Sequence, residues 1–136
     1  MRMLLVRLLP FVALVIVLGC SESGPRKVEV SGTVKYDGKE ITEGEIVFHS
    51  VDKSAGPDGA KIVNGKYTIN AREGKNKVEI RATHKIPGKK GPMGEDWVDQ
   101  FITEEYNDKT TLSHDVKSSG NSGVNFDLTT NKRIRS

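Results

Sequence analysis

This 136-residue chain carries three histidines and one cysteine, side chains suited to metal binding or nucleophilic chemistry. His114 lies in the stretch LSHDV with the strand parity of Leu112 and Val116, and His84 follows Ala82 at the same parity, at a strand end. Were those two strands neighbours, the imidazoles would approach one another. A third ligand is not signalled, because His49 has surface parity on another strand and neither HxH nor HExxH spacing occurs. The expectation is no metal site, with His114 a partly buried structural histidine. The carboxylates Glu95, Asp96, Asp99, Glu104, Glu105 and Asp108 raise the question of calcium. They lack the alternate spacing and central glycine of a tight calcium loop, so they read as a solvated face. No GxSxG elbow, phosphate loop or dinucleotide motif is present, so no catalytic residue and no cofactor is assigned.

Cys20 stands at the exit of the apolar run LLPFVALVIVL, Leu8 to Leu18, and the only charges before Glu22 are Arg2 and Arg7. A run of about 11 residues is too short to cross a hydrocarbon core of roughly 30 Å as a helix. A basic start, a short apolar middle and a small residue at the end describe an export signal over residues 1–19. The stretch Val17-Leu18-Gly19-Cys20 resembles the lipobox of bacterial lipoproteins. That resemblance implies a diacylglycerol on the Cys20 sulfur, cleavage between Gly19 and Cys20, and acylation of the new amine. The residue types suit the chemistry: a thiol is nucleophilic enough to form the thioether, and small Gly19 lets a peptidase reach the bond. Two or three acyl chains hold a protein firmly where one holds it marginally. The alternatives are a plain signal peptide with an incidental cysteine and an uncleaved anchor. Ser21 in place of aspartate would permit transfer to the outer membrane in bacteria that follow that sorting rule. The expected location is outside the cytoplasm, lipid-anchored to a bacterial membrane and facing the periplasm or cell surface.

Loss of residues 1–19 lowers the formal charge from +3 to +1. Lys and Glu are interspersed along the remainder, so no basic field is left to argue for nucleic acid. An exported domain without further cysteine uses no disulfide and must be held by its core. Residues 20–27 read as the lipidated N-terminus and a short tether, since Ser21 to Lys27 has no apolar periodicity and carries Gly24 and Pro25. Its seven residues reach about 24 Å at most. Residues 28–129 suit one domain, and 130–136 form a polar tail.

Within that domain the apolar residues recur with period 2. Val28, Val30, Val34 and Tyr36 share one face, with Gly32 on the same side marking a bulge or a close neighbouring strand. Ile46 and Phe48 alternate with Glu45, Val47 and His49, and Val78, Ile80 and Ala82 with Lys77, Glu79, Arg81 and Thr83. Asp37-Gly38 turns the chain, and Asn64-Gly65 between Lys61–Val63 and Lys66–Asn70 is the strongest hairpin signal. Tyr67 and Ile69 point inward. Leu112 and Val116, then Val124, Phe126 and Leu128, complete the set across SSGNSG. Seven short strands, each apolar on one face, predict an all-β fold, a seven-stranded antiparallel β-sandwich.

The stretch 85–109, KIPGKKGPMGEDWVDQFITEEYNDK, is read as an inserted irregular loop, basic in its first half and acidic in its second. Asp96 to Ile102 has room for one or two helical turns that would stack Trp97 on Phe101. Trp97, Phe101 and Tyr106 are the candidate ligand-binding residues. The competing reading is a crossover whose aromatics cap one end of the core.

The ordered series VSGTVKYDGKEITEGEIVF, NGKYTI, GKNKVEIRA, EEYNDKTTL and NFDL resembles the small lipoproteins with a carboxypeptidase regulatory-like domain. The resemblance covers about residues 28 to 129 and implies a transthyretin-like (prealbumin-like) sandwich and a location, but no shared activity. Hydroxyisourate hydrolases of that fold end in Tyr-Arg-Gly-Ser, which NKRIRS does not match. The expectation is thus a non-enzymatic envelope lipoprotein acting as a structural or interaction module. Its partners would be the membrane, through the lipid, and an envelope protein or glycan, with no nucleic acid. The alternative is a carbohydrate-binding module using the aromatics of 85–109.

Overall fold

The computed structural model describes residues 25–53 and 55–130; the leader, Gly19, Cys20, most of the tether and residues 131–136 lie outside the described residues. Ten strands are present among them. The first five are β1 (Lys27–Tyr36), β2 (Lys39–Glu40), β3 (Glu43–Ser50), β4 (Asp58–Val63) and β5 (Lys66–Arg72). Then come β6 (Gly74–Arg81), β7 (Thr83–Lys90), β8 (Asp96–Gln100), β9 (Ser113–Val116) and β10 (Phe126–Leu128).

Seven of them form one curled sheet in the order β10-β1-β5-β4-β3-β6-β9, with β2 returning on the end of β1. Its neighbours are antiparallel except for β1 and β10, which run parallel in the register Val34↔Phe126 to Tyr36↔Leu128. The parallel pair departs from the all-antiparallel expectation. It arises because residues 117–125 cross from one edge of the curled sheet to the other, and a crossing connection is free of the hairpin's antiparallel constraint.

β4 and β5 share a single ladder pair, Val63↔Lys66, beside the Asn64-Gly65 turn. Both turn residues have left-handed φ, 48° and 72°, as a two-residue hairpin turn requires. Beyond that pair no further ladder pair joins the two strands. The sheet therefore splits into a three-strand layer (β10, β1, β5) and a four-strand layer (β4, β3, β6, β9), which gives it the character of a β-sandwich.

The alternation read from the sequence decides what lies between the layers. Val30, Val34, Ile46, Phe48, Ile62, Val78 and Ile80 are fully buried, and Tyr67 and Ile69 nearly so. Each such side chain contributes about 1.5–3 kcal/mol on burial. Val28 and Tyr36 are only partly covered, at the two ends of β1. Gly32 marks a close neighbour: a Cβ there would lie 1.8 Å from the carbonyl oxygen of Val124. The crossing segment packs on β1 at that point, with Ser31 N donating to Asn121 O and Val124 N to Ser31 O, both at 3.0 Å.

Parity misses one buried group. Arg72 stands on the outward face of β5, with Thr68 and Asn70, yet it is 7 % exposed. Its Nη1 donates to both carboxylate oxygens of Asp58, at 2.9 and 3.0 Å, and to Gly56 O at 2.9 Å. Its backbone N donates to Asp58 Oδ2 at 3.2 Å. The pair joins the start of β4 to the end of β5, where the hairpin has opened. It fastens the two layers at the end opposite the turn.

Candidate functional site: a projecting arm and the groove beneath it

Residues 85–100, the first part of the expected irregular loop 85–109, are ordered and form no helical turn. They fold into a two-stranded hairpin, β7 against β8, separate from the main sheet. Thr83, His84 and Lys85 pair with Gln100, Asp99 and Val98, and an irregularity intervenes before Lys90↔Asp96. Asp96 bonds Lys85 at 2.8 Å and Lys90 at 2.5 Å, and these contacts, Lys85 first, hold its carboxyl below the usual range. The helical reading fails because Trp97 and Val98 favour a pleated surface and the basic strand supplies cross-strand partners for the acidic one.

A strand places the aromatics differently from a helix. Four residues along a strand separate Trp97 from Phe101 by about 13 Å, where a helical turn would stack them. Trp97 is 52 % exposed, as are Val98 (50 %) and Met93 at the tip (94 %). Phe101 instead packs at the arm's root, 5.8 Å from the Tyr36 ring, edge-on, and 5.6 Å from His84. Tyr106 follows in a 3-10 turn, Glu104–Tyr106. Its hydroxyl donates to Thr129 O at 2.9 Å and accepts from Thr129 N at 3.1 Å. Of the three aromatics, the structure thus sets two against the body and leaves Trp97 on the arm.

The root of the arm is built by residues that the sequence did not single out. Ala82 N donates to Gln100 Oε1 at 2.9 Å, and Phe101 N to Ala82 O at 3.2 Å. Ile102 is 3 % exposed and joins the core. Buried Asn107 donates to Ile102 O at 3.2 Å and Thr103 O at 3.1 Å, and its Oδ1 accepts from Asp108 N at 2.8 Å. Thr110 Oγ1 donates to Val78 O at 2.7 Å, tying the returning chain to β6. Polar residues in an acid-rich stretch give no sign of burial, since only the tertiary neighbours supply the carbonyls they satisfy.

Between the arm and the β2–β3 corner lies an open groove of about 1160 Å³. Ile41, Ala82 and Phe101 make its apolar floor, and Val98 and Gln100 line it from the arm. Glu40, Glu43 and Glu45 stand along the β3 side. Arg81 and Lys85 line the groove too, but Arg81 is paired with Asp108 at 2.5 Å and Lys85 with Asp96. The bond to Asp108 is the main cause that raises the Arg81 guanidinium above its usual value.

The histidines are dispersed. His114, on β9, lies opposite Asn76 of β6, whereas His84 pairs with Asp99 on the arm. The strand Val78–Ala82 and the strand of His114 are neighbours, but His114 sits opposite the start of β6 and His84 beyond its end, so the two imidazoles are not brought together. His114 packs edge-on to Phe48 at 6.4 Å, and its buried Nε2 has no hydrogen-bond partner. Burial is the main cause that lowers its pKa. His49 Nε2 lies 3.3 Å from Glu79. No three His, Cys, Asp or Glu residues group to hold a metal among the described residues, and no helix there is long and apolar enough to cross a membrane.

Comparison with family models, curated proteins and solved structures finds no match to this chain. The functional reading therefore rests on the residues and their geometry.

Proposed function

We infer that this protein is an exported bacterial lipoprotein, anchored through Cys20, that presents a non-catalytic sandwich of the transthyretin-like type as an interaction module of the cell envelope. The observation that carries the reading is the position of the arm. Lys27 opens β1 and Tyr36 closes it, a run of 10 residues, and Tyr36 touches Phe101 at the arm's root. At about 3.3 Å per residue this puts the chain's entry and the arm at opposite ends of the domain. A protein held at its entry would display the arm away from the membrane, with Met93, Trp97 and Val98 exposed on it. Exposed aromatic and Met side chains grouped on one projection are the kind that interfaces enrich.

The experiment compares the native chain with Cys20→Ala. Mass spectrometry of the native protein should find acyl chains on Cys20 and no residues 1–19, and the membrane fraction should lose the variant. A Cys20→Ala protein that stays membrane-bound sinks the anchor. The second reading, a carbohydrate-binding module, draws on the half-exposed Trp97 ring, a surface on which a sugar can stack. Tryptophan fluorescence across a panel of envelope glycans tests it, and an unchanged spectrum throughout rejects it.

A further inference from the structure

The arm has two edges, and they differ. Phe101 N donates to Ala82 O at 3.2 Å, and Gly91 N to Glu95 O at 2.9 Å. With the pairs Thr83↔Gln100, Lys85↔Val98 and Lys90↔Asp96, these bonds fix which backbone groups face the partner strand. In an antiparallel ladder alternate residues point their N–H and C=O away from it. On β8 those residues are Asp96, Val98 and Gln100, and on β7 Thr83, Lys85 and Lys90.

The outer edge of β7 is broken. Its register slips between Lys85 and Lys90, and Gly88 there has a left-handed φ of 76°. Pro87 has no N–H to offer, and Lys85, Lys89 and Lys90 stand along the strand. An irregularity, a proline and lysines are devices that keep an edge from pairing. β8 carries none of them. Its five residues are all exposed, and among the described residues β7 is its one strand partner. A row of donors and acceptors therefore stands open along its other side.

The side chains say what fits that row. Period 2 sets Trp97 and Asp99 on one face of β8 and Asp96, Val98 and Gln100 on the other. Asp99 has no ion pair among the described residues, whereas Asp96 is held by Lys85 and Lys90. A strand laid on this edge would set one row of side chains beside Trp97 and Asp99 and the other beside Val98. Lys or Arg in the first row meets an unpaired carboxylate and an exposed indole, and a β-branched residue in the second packs on Val98.

We propose that the outer edge of β8 receives an extended polypeptide segment of a partner as the third strand of the arm, with Lys or Arg alternating with β-branched residues. Main-chain bonds to Asp96, Val98 and Gln100 supply affinity, and the two side-chain rows supply selectivity. A two-stranded hairpin is marginal by itself, and a third strand gives it a second ladder. This inference rests on the reading of the arm as the contact surface and names what the arm contacts.

The test titrates the full chain with the peptide Ac-TKVKVKT-NH2, followed by amide exchange and by fluorescence of Trp97, the single tryptophan of the chain. Binding should be saturable and should slow exchange at Val98 and Gln100. The same peptide N-methylated at its valines, whose N–H groups would face β8, should not bind, while N-methylation at its lysines should be tolerated. Val98→Pro removes an outward N–H and leaves the β7 ladder intact, and it should weaken the peptide about tenfold. Asp99→Asn should weaken it about two- to fivefold, as exposed ion pairs do. Should Val98→Pro unfold the arm, the two N-methylated peptides carry the test alone. Equal binding of those two would overturn strand addition and leave the arm as a side-chain contact surface. No response at Trp97 or Val98 to any peptide would overturn both. Exchange at Val98 that slows with protein concentration before peptide is added would give the edge to a second copy, and would overturn the proposal too.

Discussion

The Asp58–Arg72 pair shows how one contact carries more than its net energy suggests. Together the two charges are compensated, by each other, by Gly56 O, and by Lys27 at 3.2 Å from Asp58. Removing one leaves the other buried and unpaired, which costs about 3–5 kcal/mol in such sites. Asp58→Ala should lower the unfolding free energy by about that amount in urea titration, and Asp58→Ala with Arg72→Met should recover part of it. His114 makes a pH-dependent contribution of defined sign. Its folded pKa lies below the ordinary 6.5, by burial first, while neighbouring Asp115 raises it and Lys117 lowers it. The unfolded chain therefore binds the proton more readily, and the stability contributed by neutral His114 is full above about pH 6.5 and lost as pH falls through the folded pKa. Urea midpoints of the native chain should drop between pH 7 and 5 more than those of His114→Gln. Equal drops would remove His114 from the account. The sequence placed His114 correctly beside the core by parity. It gave no notice of Arg72, which lies beyond the expected strand Lys66–Asn70 and takes the outward parity of Thr68 and Asn70 in β5.

At the scale of elements, the arm departs most from expectation. A segment rich in Gly, Pro and charge has no alternation long enough to read as strand, and its ladder depends on Lys85 and Lys90 meeting Asp96 across a turn. The result is a hairpin whose side chains are almost all exposed, with Ile86 and Gly91 the least so. Such an element opens at low free energy. Amide exchange should be fast across β7 and β8 and slow across β3 and β6, whose partners are buried on the inner face. Trp97→Ala should leave thermal stability within about 0.5 kcal/mol, as surface changes generally do. A larger loss would mean that the ring packs on the body, and it would remove the arm as a free contact surface. The hairpins, by contrast, were legible, because Asp37-Gly38 and Asn64-Gly65 carry the left-handed conformation their turns need.

For the molecule as a whole, closure depends on the crossing segment 117–125. Asn121 is 5 % exposed, takes the Lys117 N–H at 2.9 Å, gives to Lys117 O at 2.7 Å, and offers its own carbonyl to Ser31. Asn121→Ala removes both side-chain bonds where water does not readily replace them, at about 1–3 kcal/mol. Exchange should then rise together at β9 and β10, which lie at opposite edges of the curled sheet. A rise at one edge alone would show that the crossing does not couple the layers. By itself the sequence determined the strand class, the faces of β1, β3, β5 and β6 and the two glycine turns. All of these follow from side-chain alternation and backbone conformation within a few residues. At Gly32 it left a bulge or a neighbouring strand open, and the structure brings Val124 of the crossing segment there. Only the tertiary structure decided the strand order, the parallel pairing of β10 with β1, the burial of Arg72 with Asp58, and the arm standing over a groove beside the β2–β3 corner. Each depends on groups distant along the chain being brought into range of one another. Local periodicity holds no information about which distant group that will be.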